Sequence, residues 1–145
     1  MKKLILTFVV IACASFFAVA QNAKRRAVKT GPTNGIFSPA IVTGDLVFTS
    51  GQIGVDDMGR IVEGGIEAQT EQVFRNLEKV LEAAGSGVDN IVKATVFLAD
   101  MNDYNTMNEL YKKHFKGDPP ARTTVQVAKL PRDARIEIEA VAVLK

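Results

Sequence analysis

The sequence predicts one small α/β domain, a mixed β-sheet with two helices on one face. Three observations carry that prediction. The run Ile66 to Ala84 has helical apolar periodicity, and the runs Ile91 to Leu98 and Arg135 to Val143 are rich in β-branched residues. The elements follow in the order β-β-(β)-α-β-α-β-β, with no internal linker, repeat or low-complexity tract.

Ahead of that domain, Lys2 and Lys3 precede the apolar run Leu4 to Val19, interrupted only by Thr7 and Ser15 and ending in Ala18-Val19-Ala20. A basic start, a short apolar core and a small-x-small end form a secretory signal. Residues 1–20 are therefore expected to be a signal peptide cleaved after Ala20, and the mature protein to be exported, periplasmic or secreted, with no transmembrane segment. The run is marginal for the roughly 20 residues of a spanning helix. Cys13 is a weaker candidate for lipid attachment, because Val10 stands at the usual leucine position. Residues 21–34, rich in Lys, Arg, Gly, Pro, Thr and Asn, read as a flexible leader with a short strand around Ala27 to Lys29, and residues 35–145 as the folded domain.

Composition then excludes several chemistries. Cleavage after residue 20 takes Lys2 and Lys3 from the 18 basic residues, leaving 16 against 16 acidic ones, so the formal +2 becomes zero. Such a chain has no overall field to attract nucleic acid or anionic lipid. Lys24-Arg25-Arg26 is a local basic cluster, placed in the leader. The only cysteine is Cys13, so the mature part has no disulfide and no thiolate nucleophile, and with His114 as sole histidine it cannot build a His-rich zinc site. No metal or cofactor is expected.

The elements follow in chain order. Asp45 to Ser50 and Gln52 to Val55 are β-prone runs separated by Gly51. Asp56-Asp57-Met58-Gly59 makes a turn from which Arg60-Ile61-Val62 returns as a short strand; the acidic pair lacks the alternating oxygen series of a calcium loop. In the first helix, Ile66, Val73, Leu77, Val80, Leu81 and Ala84 share a face opposite most of its Glu and Lys residues, and Gly85 stops it. The second helix spans about Asp103 to Phe115, with Asn102 or Asp103 as its cap and a stripe of Tyr104, Met107, Tyr111 and Phe115 that reads as core. Pro119-Pro120 fixes an extended entry to the strand Thr123 to Val127, and Leu130-Pro131-Arg132-Asp133 connects it to the last strand. There Ile136, Ile138, Ala140 and Ala142 share one face and Glu137, Glu139, Val141 and Val143 the other. Neither face is wholly polar, which suits a sheet buried against other subunits.

Arg122 and Glu137 are the foremost catalytic candidates. Arg122 follows a stiff proline turn at the mouth of a strand, and a guanidinium grips a carboxylate through two parallel hydrogen bonds. Glu137 stands on the last strand, where burial raises a carboxyl pKa toward the acid/base range and a nearby arginine lowers it. From these residues alone, a salt bridge at an interface is the competing reading, and Glu139 on the same face could share either role of Glu137. Ser50-Gly51 offers a hydroxyl and backbone N–H groups at a strand end, and Asn108 an amide from the second helix. No HExxH, Walker loop, GxSxG elbow or dinucleotide fingerprint occurs.

Taken together, V-F-T-S-G-Q-I (47–53), N-L-E-K-V-L-E-A-A-G (76–85), V-K-A-T-V-F-L (92–98), P-A-R-T-T-V-Q-V-A-K-L-P (120–131) and I-E-I-E-A-V-A-V (136–143) closely resemble the RidA (YjgF) family, over about Gly35 to Lys145. The resemblance implies a chorismate-mutase-like fold assembled as a homotrimer, with ligand clefts between neighbouring subunits. It implies hydrolysis of reactive 2-enamines and 2-imines to 2-keto acids and ammonia, the alternatives being a related small-molecule hydrolase or a non-catalytic ligand-binding trimer. Ribonuclease or chaperone-like roles are also attached to the family, and the neutral charge argues against an RNA partner. By the same resemblance Arg122 holds the substrate carboxylate, and Glu137 orients water and manages protons at the imine. Ser50, Gly51 and Asn108 are expected to line the cleft. This chain departs from the family at two positions that would also face the ligand: Phe37 stands where many members have tyrosine, in a loop that carries Pro39, and Thr124 where many have cysteine.

Overall fold

In the computed structural model, which describes residues 24–31 and 35–145, seven strands form one sheet. The expected signal peptide, Cys13 and the residues around the expected cleavage point lie outside the described residues. The strands are β1 Arg26–Val28, β2 Ala40–Thr43, β3 Leu46–Thr49, β4 Gln52–Ile53, β5 Ile91–Leu98, β6 Ala121–Gln126 and β7 Ile136–Val143. Their order is β1-β2-β3-β7-β5-β6, with β4 pairing β7 beyond the end of β3. Only β5 and β6 run parallel, joined by a helical crossover; all other neighbours are antiparallel.

Among the described residues the two α-helices are α1 Gly65–Ala84 and α2 Tyr104–Tyr111. The face of α1 read from periodicity is the buried one: Val73, Leu77 and Leu81 are sealed from solvent against the sheet. Gly85 ends α1 at φ 93°, a left-handed conformation that lets its N–H bond back to the last turn. On β7, Ile136, Ile138, Ala140 and Ala142 are buried beneath the helices, while the alternate residues from Glu137 to Val143 face the other way.

Several local readings are revised by packing. The short strand expected around Ala27 forms at Arg26–Val28, but it pairs with β2 as part of the sheet rather than lying in a loose leader, and the Arg26 guanidinium donates to the Ala84 carbonyl at the end of α1. β2 itself was missed: Ala40–Thr43 follows a Pro-rich loop and offers only four residues of alternation. Arg60-Ile61-Val62 forms a single bridge, Val55 with Ile61, rather than a strand, because the Asp56 carboxylate closes the turn on the Met58 and Arg60 N–H groups. The second helix is shorter than its stripe, flanked by 3₁₀ turns at Met101–Asp103 and Lys112–His114. Asp103 does not cap it. Its buried carboxylate instead holds the Arg135 guanidinium through two bonds of 2.9 Å, and Asp100 caps the preceding turn.

Candidate active site

The site begins where the sheet breaks. β3 pairs β7 at residues 141–143 and β4 pairs it at 137–138, so residues 50 and 51 pass β7 without pairing. The Ala140 N–H, left between the two ladders, donates to the Thr49 hydroxyl at 2.9 Å. Ser50 uses the break to hold the preceding loop: its N–H donates to the Pro39 carbonyl at 2.9 Å and its hydroxyl to the Ser38 carbonyl at 2.7 Å. That loop carries Phe37, which is 59 % exposed.

Gly51 lies against Glu137. A Cβ at position 51 would stand 1.8 Å from Oε1 of Glu137, so only glycine leaves room for the carboxylate. Phe37, Ser50, Gly51 and Glu137 line a cleft of about 400 Å³ together with Ile53, Pro131 and Arg132. Burial, and secondarily the charge of Glu139, raise the Glu137 pKa above its ordinary 4.5. Glu139 itself lines a separate small cavity with Phe48, Thr49 and Lys93.

Arg122 belongs to a second cluster. Its Nη2 donates to Oδ1 of Asn108 at 2.6 Å, Nη1 lies 3.9 Å from the Met107 sulfur, and the guanidinium carbon sits 4.5 Å from the centre of the Tyr111 ring. The same carbon lies over the Tyr104 ring at 5.9 Å from its centre. Burial pushes the Tyr111 hydroxyl up to about 12, with Arg122 pulling the other way, so a neutral ring platforms the cation. Thr124 follows two residues along the same strand face, its hydroxyl buried without a hydrogen-bond partner.

The two clusters do not meet within one chain. Arg122 is in register with Ala94 and, across it, Ala140, so it stands on the helix side of the sheet. Glu137 is in register with Phe97 and Ile53 on the opposite side. No Arg122–Glu137 salt bridge forms among the described residues, and no arginine lowers the Glu137 pKa. Within one chain, strand alternation keeps the pair apart: positions an odd number of residues from the buried row of their sheet cannot share its face. His114 stacks on Phe74 at 3.8 Å with its Nε2 3.4 Å from Glu71, and Phe74 in turn meets the edge of Tyr111 at 5.4 Å, so the histidine stands one ring behind the Arg122 cluster.

Sequence reasoning missed Arg132, Pro131 and Ile53 as cleft residues. The first two sit in a connector that composition marks only as a turn. The signal is conformational: Arg132 and Asp133 hold φ of 58° and 56°, consecutive left-handed residues without being glycine. Such positions cost on the order of 1 kcal/mol or more each and concentrate at functional sites. The Arg132 guanidinium reaches across to donate to the Gly59 carbonyl.

With this geometry in place, comparison with known proteins is decisive. The family model described as endoribonuclease L-PSP matches residues 28–144. The chain belongs to this family. A human protein named 2-iminobutanoate/2-iminopropanoate deaminase is 46 % identical over 123 residues, covering 82 % of this chain and 90 % of that protein. The crystal structure of yeast Mmf1 superposes with a TM-score of 0.81 at 39 % identity, covering 84 % of this chain and all of that one. E. coli TdcF, solved with bound serine, gives a TM-score of 0.75 at 38 % identity, covering 83 % and 99 %. The mixed sheet with two helices is therefore the RidA fold expected from the sequence blocks.

Proposed function

We propose that this protein hydrolyses reactive 2-imino acids and their 2-enamine tautomers to 2-keto acids and ammonia. The observation that carries the reading is a human relative of nearly half-identical sequence, bearing that activity in its name and matched over most of both chains. Two features of the site support it: a guanidinium braced to receive a carboxylate, and a half-buried carboxyl lining a ligand-sized cleft. The serine bound in the TdcF structure is itself a carboxylate ligand of amino-acid size.

The clefts lie between copies of the chain in a homotrimer. Arg122 of one copy, held by Asn108 and Tyr111, binds the substrate carboxylate, and Glu137 of the neighbour faces the imine. Water adds to the imine carbon while Glu137 passes one of its protons to the imine nitrogen, giving the carbinolamine; Glu137 then takes the carbinolamine O–H proton and delivers it to the amino nitrogen as the C–N bond breaks, leaving the ketone and ammonia. The imine carbon is already electrophilic, so binding and positioning supply most of what the reaction needs. Ser50 and Gly51 shape the Glu137 side of the cleft, Phe37 offers an apolar wall without a phenolic donor, and Thr124 stands beside Arg122.

Residues 1–20 act as an export signal, so the substrate is met outside the cytoplasm; mass analysis of the mature protein is expected to show a chain starting at Gln21, whereas a lipid on Cys13 would replace that reading with a tethered form. The balanced charge beyond residue 20 does not favour an RNA substrate.

The test is keto-acid release from freshly generated 2-iminopropanoate and 2-iminobutanoate by the mature protein and by Arg122→Ala. Acceleration by the former and its loss in the latter is expected. A folded, trimeric protein that accelerates neither imine would move the reading to a ligand-binding role.

A further inference from the structure

We infer that Arg132 makes the Glu137 cleft selective for 2-imino acids whose side chain ends in a second anionic group, a carboxylate first among them. The inference rests on the proposed hydrolysis and adds a substrate class to it.

Arg132 and Glu137 are the two charged residues that this chain contributes to the cleft lining, with the apolar Phe37 and Ile53 among the other walls. No carboxylate among the described residues, Glu137 included, lies within ion-pair distance of Arg132. Asp133, next in the chain, pairs with Lys129 at 3.0 Å. One of its N–H groups goes to the neutral Gly59 carbonyl, which fixes the guanidinium while leaving other donors of its planar fork for a ligand.

Its backbone is also held in place. The left-handed pair at 132 and 133 is flanked by Leu130 and Ala134, both buried, and the Ala134 N–H closes the turn on the Pro131 carbonyl. Burial of both flanks maintains an unfavourable conformation that projects a cation at the cleft rim. In the assembled site the cleft would hold two fixed guanidiniums, Arg132 and the Arg122 of a neighbouring copy. A monoanionic imino acid satisfies one of them; a dianionic one satisfies both, with the imine carbon between them facing Glu137. The chemistry is unchanged: water in, ammonia out, and both carboxylates retained.

The experiment compares kcat/KM of the full mature protein for 2-iminosuccinate or 2-iminoglutarate with that for the uncharged-side-chain 2-iminobutanoate, each generated in place by an amino-acid oxidase. Arg132→Asn removes the charge with a residue that tolerates the left-handed conformation, and Arg132→Lys keeps the charge. The dianionic-to-monoanionic ratio is expected to fall about 10-fold in Arg132→Asn, the size of one charge-assisted contact, and to be largely kept in Arg132→Lys. An unchanged ratio in Arg132→Asn, with hydrolysis intact, overturns the selectivity alone. Failure of the wild-type protein to hydrolyse any of these imines overturns the deaminase reading and the selectivity with it.

Discussion

A methyl group on Gly51 has no room beside Glu137, and this one contact defines what the site demands at the residue scale. Gly51→Ala would place its Cβ 1.8 Å from the carboxylate oxygen, so the carboxyl must swing out of position. Because a flexible side chain yields, the expected stability cost is modest, about 1 kcal/mol, while imine hydrolysis falls at least ~10-fold. Steady-state kinetics beside thermal melts check this; normal turnover in the alanine variant would mean that Glu137 acts from some other rotamer. Glu137 also carries a pH signature. Its pKa is raised in the folded protein, so the native state holds a proton that the unfolded chain has lost at the same pH. Stability contributed by this group is full below the ordinary carboxyl value and is lost as pH rises through the raised one. Glu137→Gln is therefore expected to melt higher than wild type near neutral pH, with the gap closing below the ordinary carboxyl range. An equal gap at both pH values would show that the effect is packing rather than titration.

Between elements, the Asp103–Arg135 clasp ties the start of α2, which carries Asn108, to the start of β7, which carries Glu137. The two partners are unequal: the Asp103 side chain is 12 % exposed and that of Arg135 44 %. Removing Arg135 strands a buried carboxylate, whereas removing Asp103 frees an arginine that water can solvate. Arg135→Met is expected to cost about 2–3 kcal/mol and Asp103→Asn about 1 kcal/mol, measurable by chemical denaturation; the reverse order would mean that the clasp is held from the Arg135 side. This pairing also marks the limit of what the sequence made legible. Long elements with strong alternation, such as β5, β7 and α1, were readable because their own residues decide their buried faces. Asp103 read as a helix cap because its spacing suits one, and its actual partner lies 32 residues away in sequence. β2 escaped because four residues after a Pro-rich loop carry too little pattern, and pairing stabilises it. In the site, Arg122, Glu137, Ser50 and Gly51 stood out through chemistry or family blocks, while Arg132 was hidden in a turn whose importance is conformational.

The whole molecule leaves its site in two parts, on opposite faces of one sheet, and that separation makes a prediction that no single chain can satisfy. On the Glu137 face, Phe48, Leu46, Val125 and Val143 are exposed although each lies on a strand. Such a face suits burial by further copies of the chain. If each cleft takes Arg122 from one copy and Glu137 from its neighbour, two inactive variants can repair each other. Arg122→Ala and Glu137→Gln, each expected to be nearly inactive alone, are unfolded together in equal amounts and refolded as mixed assemblies. With random mixing, half of the arginine positions and half of the glutamate positions are intact, so about a quarter of the clefts hold both. Recovered activity near that fraction of wild type, appearing only after joint refolding and not on simple mixing, is the expected outcome. If both residues served the same cleft from the same chain, every cleft in the mixture would lack one of them and no activity would return, however completely the chains exchanged.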